Sequence, residues 1–149
     1  MSDGPDVSIR PIRPEDAVAV TELVAQLGYE RTPEQVRRWI EGLALRPNQA
    51  ALVAELNGGV VGWVEVALEY RLQSDAFGLI GGLVVKDGVR GAGIGRRLCE
   101  QAESWSRQHG AKKIRVTSRS TREAAHRFYL RDGYRQTKIS MVFEKPLEP

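Results

Sequence analysis

The chain has 149 residues, 42% of them apolar and 28% charged, with a formal net charge of +3. That length matches the ~100–200 residues of one domain, and the composition is that of a globular surface around one core. No run of ~18 apolar residues is present to span a membrane, and the opening MSDGPDVSIRPIRPED lacks the apolar stretch of a secretory signal. The single cysteine, Cys99, cannot close an internal disulfide, so a cytoplasmic location is expected.

In chain order, VSIRPI at 7–12 alternates as a strand does. Pro14, Glu15 and Asp16 suit the first turn of a helix that carries Leu23, Val24 and Leu27 on one face and closes at Gly28. Thr32-Pro33-Glu34-Gln35 is a capping-box pattern, and Val36, Trp39, Ile40 and Leu43 follow at helical spacing. Residues 50–56 and 60–70 flank Asn57-Gly58-Gly59, which predicts a hairpin. The run AFGLIGGLVV at 76–85 is apolar on both faces, as a central strand is.

A helix is expected from Arg96 to His109, with Leu98, Cys99, Ala102 and Trp105 on its buried stripe. Residues 112–118 alternate as a strand, and Ser120-Thr121-Arg122-Glu123 is a second capping box. It opens a helix through Ala125, Phe128 and Tyr129 that ends at Asp132-Gly133, and residues 135–147 predict a last strand. No repeat or linker interrupts the chain, so residues 1–149 read as one mixed α/β domain. The strand–helix–strand in the middle predicts a parallel pair in an otherwise antiparallel sheet.

Between the central strand and its helix lies VRGAGIGRR, residues 89–97. Helix first turns have unpaired N–H groups and a partial positive charge, and glycines at 91, 93 and 95 remove side chains that would block them. Arg90, Arg96 and Arg97 add charge, so a diphosphate suits the loop; an ordinary glycine-rich turn with solvated arginines is the alternative. A Walker loop is excluded, because no Gly-Lys-Ser/Thr follows at its spacing. The dinucleotide fingerprint fits poorly, since its third glycine falls at the wrong interval and no ribose-binding acid follows ~20 residues on. Most lysines and arginines fall between residues 86 and 138, which suits either a phosphorylated small molecule or a nucleic-acid stripe.

The segment V-x-x-G-V-R-G-A-G-I-G-R-R-L, from Val85 to Leu98, resembles the acyl-coenzyme-A-binding motif of the GNAT family of N-acetyltransferases. Residues 124–134, AAHRFYLRDGY, are similar to that family's closing motif, and the element order matches from Val7 to Leu147. The resemblance implies the acyl-CoA N-acyltransferase fold: a mixed, mostly antiparallel sheet with a splayed parallel pair, flanked by about four helices. It implies acetyl-CoA as cosubstrate, with Leu83, Val84 and Val85 along the pantetheine arm and backbone groups of 83 and 85 pairing with it. Arg90, Gly91, Ala92, Gly93, Ile94, Gly95 and Arg96 would cradle the pyrophosphate. Tyr129 aligns with the tyrosine that protonates the departing thiolate, a role its phenol can fill.

Two positions depart from the family pattern. Where many members carry asparagine stands Arg122, which could reach a phosphate or the pantetheine arm instead. Where members often carry a carboxylate, the chain reads Ile80-Gly81-Gly82; Glu65, sharing a strand face with Trp63 and Ala67, is the substitute general base. Glu69 and Tyr70 lie further along the same strand. His126 reads as a partly exposed helix histidine and Cys99 as a structural thiol, and the scattered histidines make no metal site.

The acceptor-facing segments carry Tyr29, Glu30, Trp39, Glu65, Glu69, Tyr70 and Asp75, a set that suits a small cationic amine. Acetylation of a protein lysine or N-terminus, and a non-catalytic acyl-CoA-binding sensor, are the alternatives. Neither nucleic acid nor membrane is the expected partner, and a homodimer through the C-terminal strand or the hairpin edge is compatible with the pattern.

Overall fold

The computed structural model describes residues 7–89, 93–119 and 121–148. They fall into two compact units, one ending at Thr117 and one beginning at Ser118. The first unit holds strands β1 (Val7–Pro11), β2 (Gln49–Leu56), β3 (Gly59–Arg71), β4 (Ser74–Val85) and β5 (Ile114–Val116). Its helices are α1 (Ala17–Leu27), α2 (Pro33–Gly42) and α3 (Ile94–Gln108). The sheet runs β1-β2-β3-β4-β5 in space, antiparallel except for the parallel β4–β5 pair.

Local chemistry accounts for these elements. Thr32 caps α2 as a full box: its hydroxyl accepts from the Gln35 amide at 3.1 Å, and the Thr32 amide donates to Gln35 Oε1 at 2.9 Å. The β2–β3 hairpin turns on Asn57 and Gly58, both at positive φ (52° and 81°), the geometry that matches strand twist in a two-residue loop. Before α1, Pro14–Asp16 forms a single 3-10 turn. There Arg10 clamps the buried Asp16 with two bonds of 2.8 Å, and the Arg13 amide adds a third.

The helices cover opposite faces of the sheet. Val53, Trp63 and Val84 pack with Ala17, Val20 and Leu23 of α1 and its N-terminal junction, and with Val36 and Ile40 of α2. On the other face Gly62 meets Leu98 and Ile94 of α3, and Gly78 lies against Ser106. Leu98, Cys99 and Ala102 are wholly buried there, so Cys99 is a core thiol as its helical position predicts. Alternation along β3 thus places Trp63 and Glu65 toward α1–α2, and Val64 and Val66 toward α3.

The second unit contains α4 (Glu123–Arg131). The expected capping box includes Ser120, which lies outside the described residues; Arg122 occupies the N-cap position. Phe128, Tyr129 and Tyr134 stack edge to face at centroid distances of 5.3 and 5.6 Å. The His126 ring is spent on structure, with Nε2 at 2.8 Å from the Arg119 carbonyl.

Residues 135–147 do not form the expected strand. They belong to no ladder among the described residues, and Ile139, Met141, Val142, Phe143 and Leu147 are exposed. Alternation marks residues suited to a sheet, but a strand exists only where a neighbour bonds its N–H and C=O groups.

Candidate active site

Two irregularities in β4 build the site. The β4–β5 ladder covers only Gly78–Ile80 against Ile114–Val116, and β4 then continues to Val85. Beyond Ile80, among the described residues, no strand bonds that edge, where the family resemblance implies a splayed pair. At the same point the β3–β4 register shifts, with Glu65 opposite Gly82 and Val66 opposite Ile80. Gly81 is the extra residue of a β-bulge. The bulge inverts side-chain parity: Gly78 faces α3, whereas Gly82 and Val84 face α1–α2.

Past the bulge, the Lys86 amide donates to the Val61 carbonyl at 2.7 Å, so Val85 and Leu83, one and three residues earlier, turn their N–H and C=O groups away from β3. Both residues sit on the open edge. One group is already engaged. The Val85 carbonyl accepts from Gln26 Nε2 at 2.8 Å, and the Asp87 amide donates to Gln26 Oε1 at 3.0 Å. Gln26, on α1, therefore ties the end of β4 to the start of the glycine loop. Sequence reasoning missed it, since an exposed glutamine carries no motif.

At the far end of that loop, Gly93 is the N-cap of α3 in the left-handed conformation (φ 69°), and a Cβ there would meet nothing within 4 Å. The first-turn amides of α3, from Ile94 and Gly95 onward, have no acceptor within the helix. Anionic oxygens fit this end on geometry and dipole alike. Arg96 pairs with Glu100 at 3.2 Å, and Arg97 donates to the Val7 carbonyl, so Arg97 anchors β1 instead of rimming the loop. Arg90, Gly91 and Ala92 lie outside the described residues.

Under α1 and α2 lies a cavity of about 290 Å³. Its walls are apolar, with Val20, Val24 and Leu27 from α1, Val36, Trp39 and Ile40 from α2, and Ile12, Ala51 and Trp63 from the sheet side. Glu65 and Gly81 line it together, and Tyr29 and Arg31 come from the α1–α2 connection. Burial pushes the Glu65 carboxyl above its ordinary range, and the charge of Arg46 pulls only partly against it. Arg46 itself is fixed, donating to Gln49 Oε1 at 2.7 Å and to the Trp39 carbonyl at 2.8 Å. The Trp63 indole lies across Gly82, where a Cβ would come within 2.3 Å of the ring, and its Nε1–H is buried without a partner among the described residues.

The structure therefore brings together Glu65, Trp39 and Tyr29 from the expected acceptor set. Glu30, Glu69, Tyr70 and Asp75 do not line the cavity; Glu69 pairs with Arg71 at 3.5 Å and Tyr70 is exposed. Arg31 and the bulge at Gly81 were missed. The adjacent glycines inside a strand pattern were the available signal for the bulge.

An open strand edge beside a bulge is followed by a helix with a glycine-capped first turn. The acetyltransferase (GNAT) family model matches residues 17–134. The chain belongs to the GNAT family. It is an acetyl-CoA-dependent N-acetyltransferase. An aminoalkylphosphonate N-acetyltransferase of Salmonella typhimurium is 35% identical over 137 residues, covering 89% of this chain and 88% of the relative. An aminoglycoside N(6')-acetyltransferase type 1 of Stenotrophomonas maltophilia is 27% identical, covering 95% of each. In fold, the chain matches the structure of the aminoglycoside N-acetyltransferase AAC(6')-Iy in complex with CoA at a TM-score of 0.85. The identity is 15%, with 97% of this chain and 98% of that one covered. No helix among the described residues is long and apolar enough to cross a membrane.

Proposed function

We propose that the chain moves the acetyl group of acetyl-CoA directly to a small-molecule amine held in the cavity under α1 and α2. The observation that carries this reading is the meeting of three features at Gly81: the end of the β4–β5 ladder, the bulge, and the raised carboxyl of Glu65. Relatives that acetylate aminoalkylphosphonates and aminoglycosides support a small amine as acceptor.

In this reading, acetyl-CoA supplies an activated thioester. Leu83 and the Val85 amide hold the pantetheine arm on the open edge. Arg90 through Arg96 hold the pyrophosphate, and Arg122 contacts the cofactor. Glu65 takes a proton from the acceptor's ammonium as the nitrogen lone pair bonds to the thioester carbonyl carbon. The carbon–sulfur bond then breaks as Tyr129 gives its phenolic proton to the departing thiolate, and the acylated nitrogen releases its second proton, which restores the phenol and leaves a neutral amide. A carboxyl whose ordinary range is raised by burial is the better base for an ammonium, because the proton moves less far uphill.

Titration calorimetry with acetyl-CoA, on the native chain and on Gly93→Glu, tests the first half. Native binding lost in the variant supports it; equal binding by both removes the α3 N-terminus from the site. Thiol release in Tyr129→Phe tests the second half. The expected loss is about 10²-fold in kcat, with acetyl-CoA affinity kept.

A further inference from the structure

The cavity's walls say more about the acceptor than its class as an amine. Nine of the lining residues named above are aliphatic or tryptophan, from Ile12 to Trp63, and Tyr29 adds a phenol at the α1–α2 connection. The charged lining residues are one carboxylate, Glu65, beside Gly81, and one guanidinium, Arg31, which has no ion-pair partner among the described residues. A volume of about 290 Å³ lies just below the ~300–1,000 Å³ of ligand pockets.

We infer that the cavity under α1 and α2 selects a small monoamine carried on an aromatic or branched aliphatic body, in preference to a polyhydroxylated polyamine or an aminoalkylphosphonate. The inference rests on the acetyltransferase reading of the site. One ammonium is matched by one carboxylate, beside Gly81 just past the end of the β4–β5 ladder. A second ammonium would meet Arg31 or apolar wall. Each sugar hydroxyl taken into this lining without a partner weakens binding by about tenfold. A phosphonate could pair with Arg31, but a two-carbon spacer leaves the aliphatic walls of α1 and α2 unfilled.

The test uses the full chain, acetyl-CoA, and three amines: 2-phenylethylamine, 2-aminoethylphosphonate and neamine. The kcat/KM for 2-phenylethylamine, read by thiol release, is expected to be at least tenfold above either of the others. Val24→Thr puts a hydroxyl in the wall at nearly constant volume and is expected to narrow that ratio to about twofold. In parallel, 2-phenylethylamine should saturably change the tryptophan fluorescence contributed by Trp39 and Trp63. Equal or better turnover of neamine or 2-aminoethylphosphonate overturns the inference, as does acetyl-CoA binding with no turnover of 2-phenylethylamine. Failure to bind acetyl-CoA sinks the transferase reading instead, and the fluorescence titration with the three amines then decides the cavity's preference alone.

Discussion

The carboxylate of Glu65 on β3 lies against the backbone of Gly81 on β4, so closely that a Cβ at position 81 would stand 3.0 Å from Oε1 and 3.3 Å from Cδ. A side chain at the bulge would have to displace the carboxylate by a few tenths of an ångström. Gly81→Ala is therefore expected to turn Glu65 away from the bulge. Its kcat should fall about tenfold while the Kd for acetyl-CoA stays within twofold, since displacing a catalytic group by a fraction of an ångström costs rate before it costs binding. Steady-state kinetics beside calorimetry separate the two. An unchanged kcat would show that the contact is only packing.

Glu65→Gln keeps the shape and removes the proposed base. A loss of about 10²-fold in kcat is expected. Because burial raises this carboxyl in the folded chain, the acid limb of the native kcat/KM profile should lie above the ordinary glutamate range, and it should vanish in the variant. The sign for stability follows from the same shift. The folded state holds the proton more tightly than the unfolded one, so this group's contribution is complete below the unfolded value and is lost as pH rises through the folded one. Glu65→Gln should thus gain in Tm relative to the native chain between acid and neutral pH. A difference in Tm independent of pH would contradict the assignment.

Much of this architecture is legible in the residues themselves. The Thr32 box, the Asn57-Gly58 turn and the apolar runs of β3 and β4 each specify their element locally, and each is found where its pattern lies. Glu65 could be placed on the Trp63 face by alternation alone. Other features depend on tertiary pairing. The bulge at Gly81 exists because two strands of unequal path must stay in register, and the Gln26 clamp because α1 happens to end beside β4. Residues 135–147 show the converse, a strand pattern without a strand, since alternation encodes suitability and not the presence of a partner.

Asp16 offers a test of the scaffold apart from the chemistry. Burial alone would push its carboxyl up, but the paired bonds from Arg10 and the Arg13 amide hold it below the ordinary aspartate range. Its contribution is therefore present above the unfolded value and is lost as pH falls through the folded one. Asp16→Asn should cost about 3 kcal/mol at neutral pH, toward the low end for breaking a buried pair because Arg10 keeps Glu55 at 2.8 Å. The deficit should shrink in acid. Urea denaturation at neutral and acid pH reads both numbers, and a deficit that grows in acid would refute the pairing as its source.

Gln26 is the residue through which α1 reaches the open edge of β4. Its amide closes two bonds, to the Val85 carbonyl and from the Asp87 amide, across the exit of β4. Both are exposed to water, so Gln26→Ala should cost only about 1 kcal/mol in stability. Its larger effect should fall on binding, because the two bonds fix the backbone of Val85 and Asp87 at the exit of β4, and a binding edge that is not preorganised binds its ligand more weakly. Calorimetry should show a three- to fivefold weaker Kd for acetyl-CoA. Gln26→Glu makes the argument sharper: a carboxylate still accepts from the Asp87 amide but sets an oxygen against the Val85 carbonyl, so it should weaken acetyl-CoA more than alanine does. Were both variants to bind like the native chain, the clamp would be incidental to coenzyme binding.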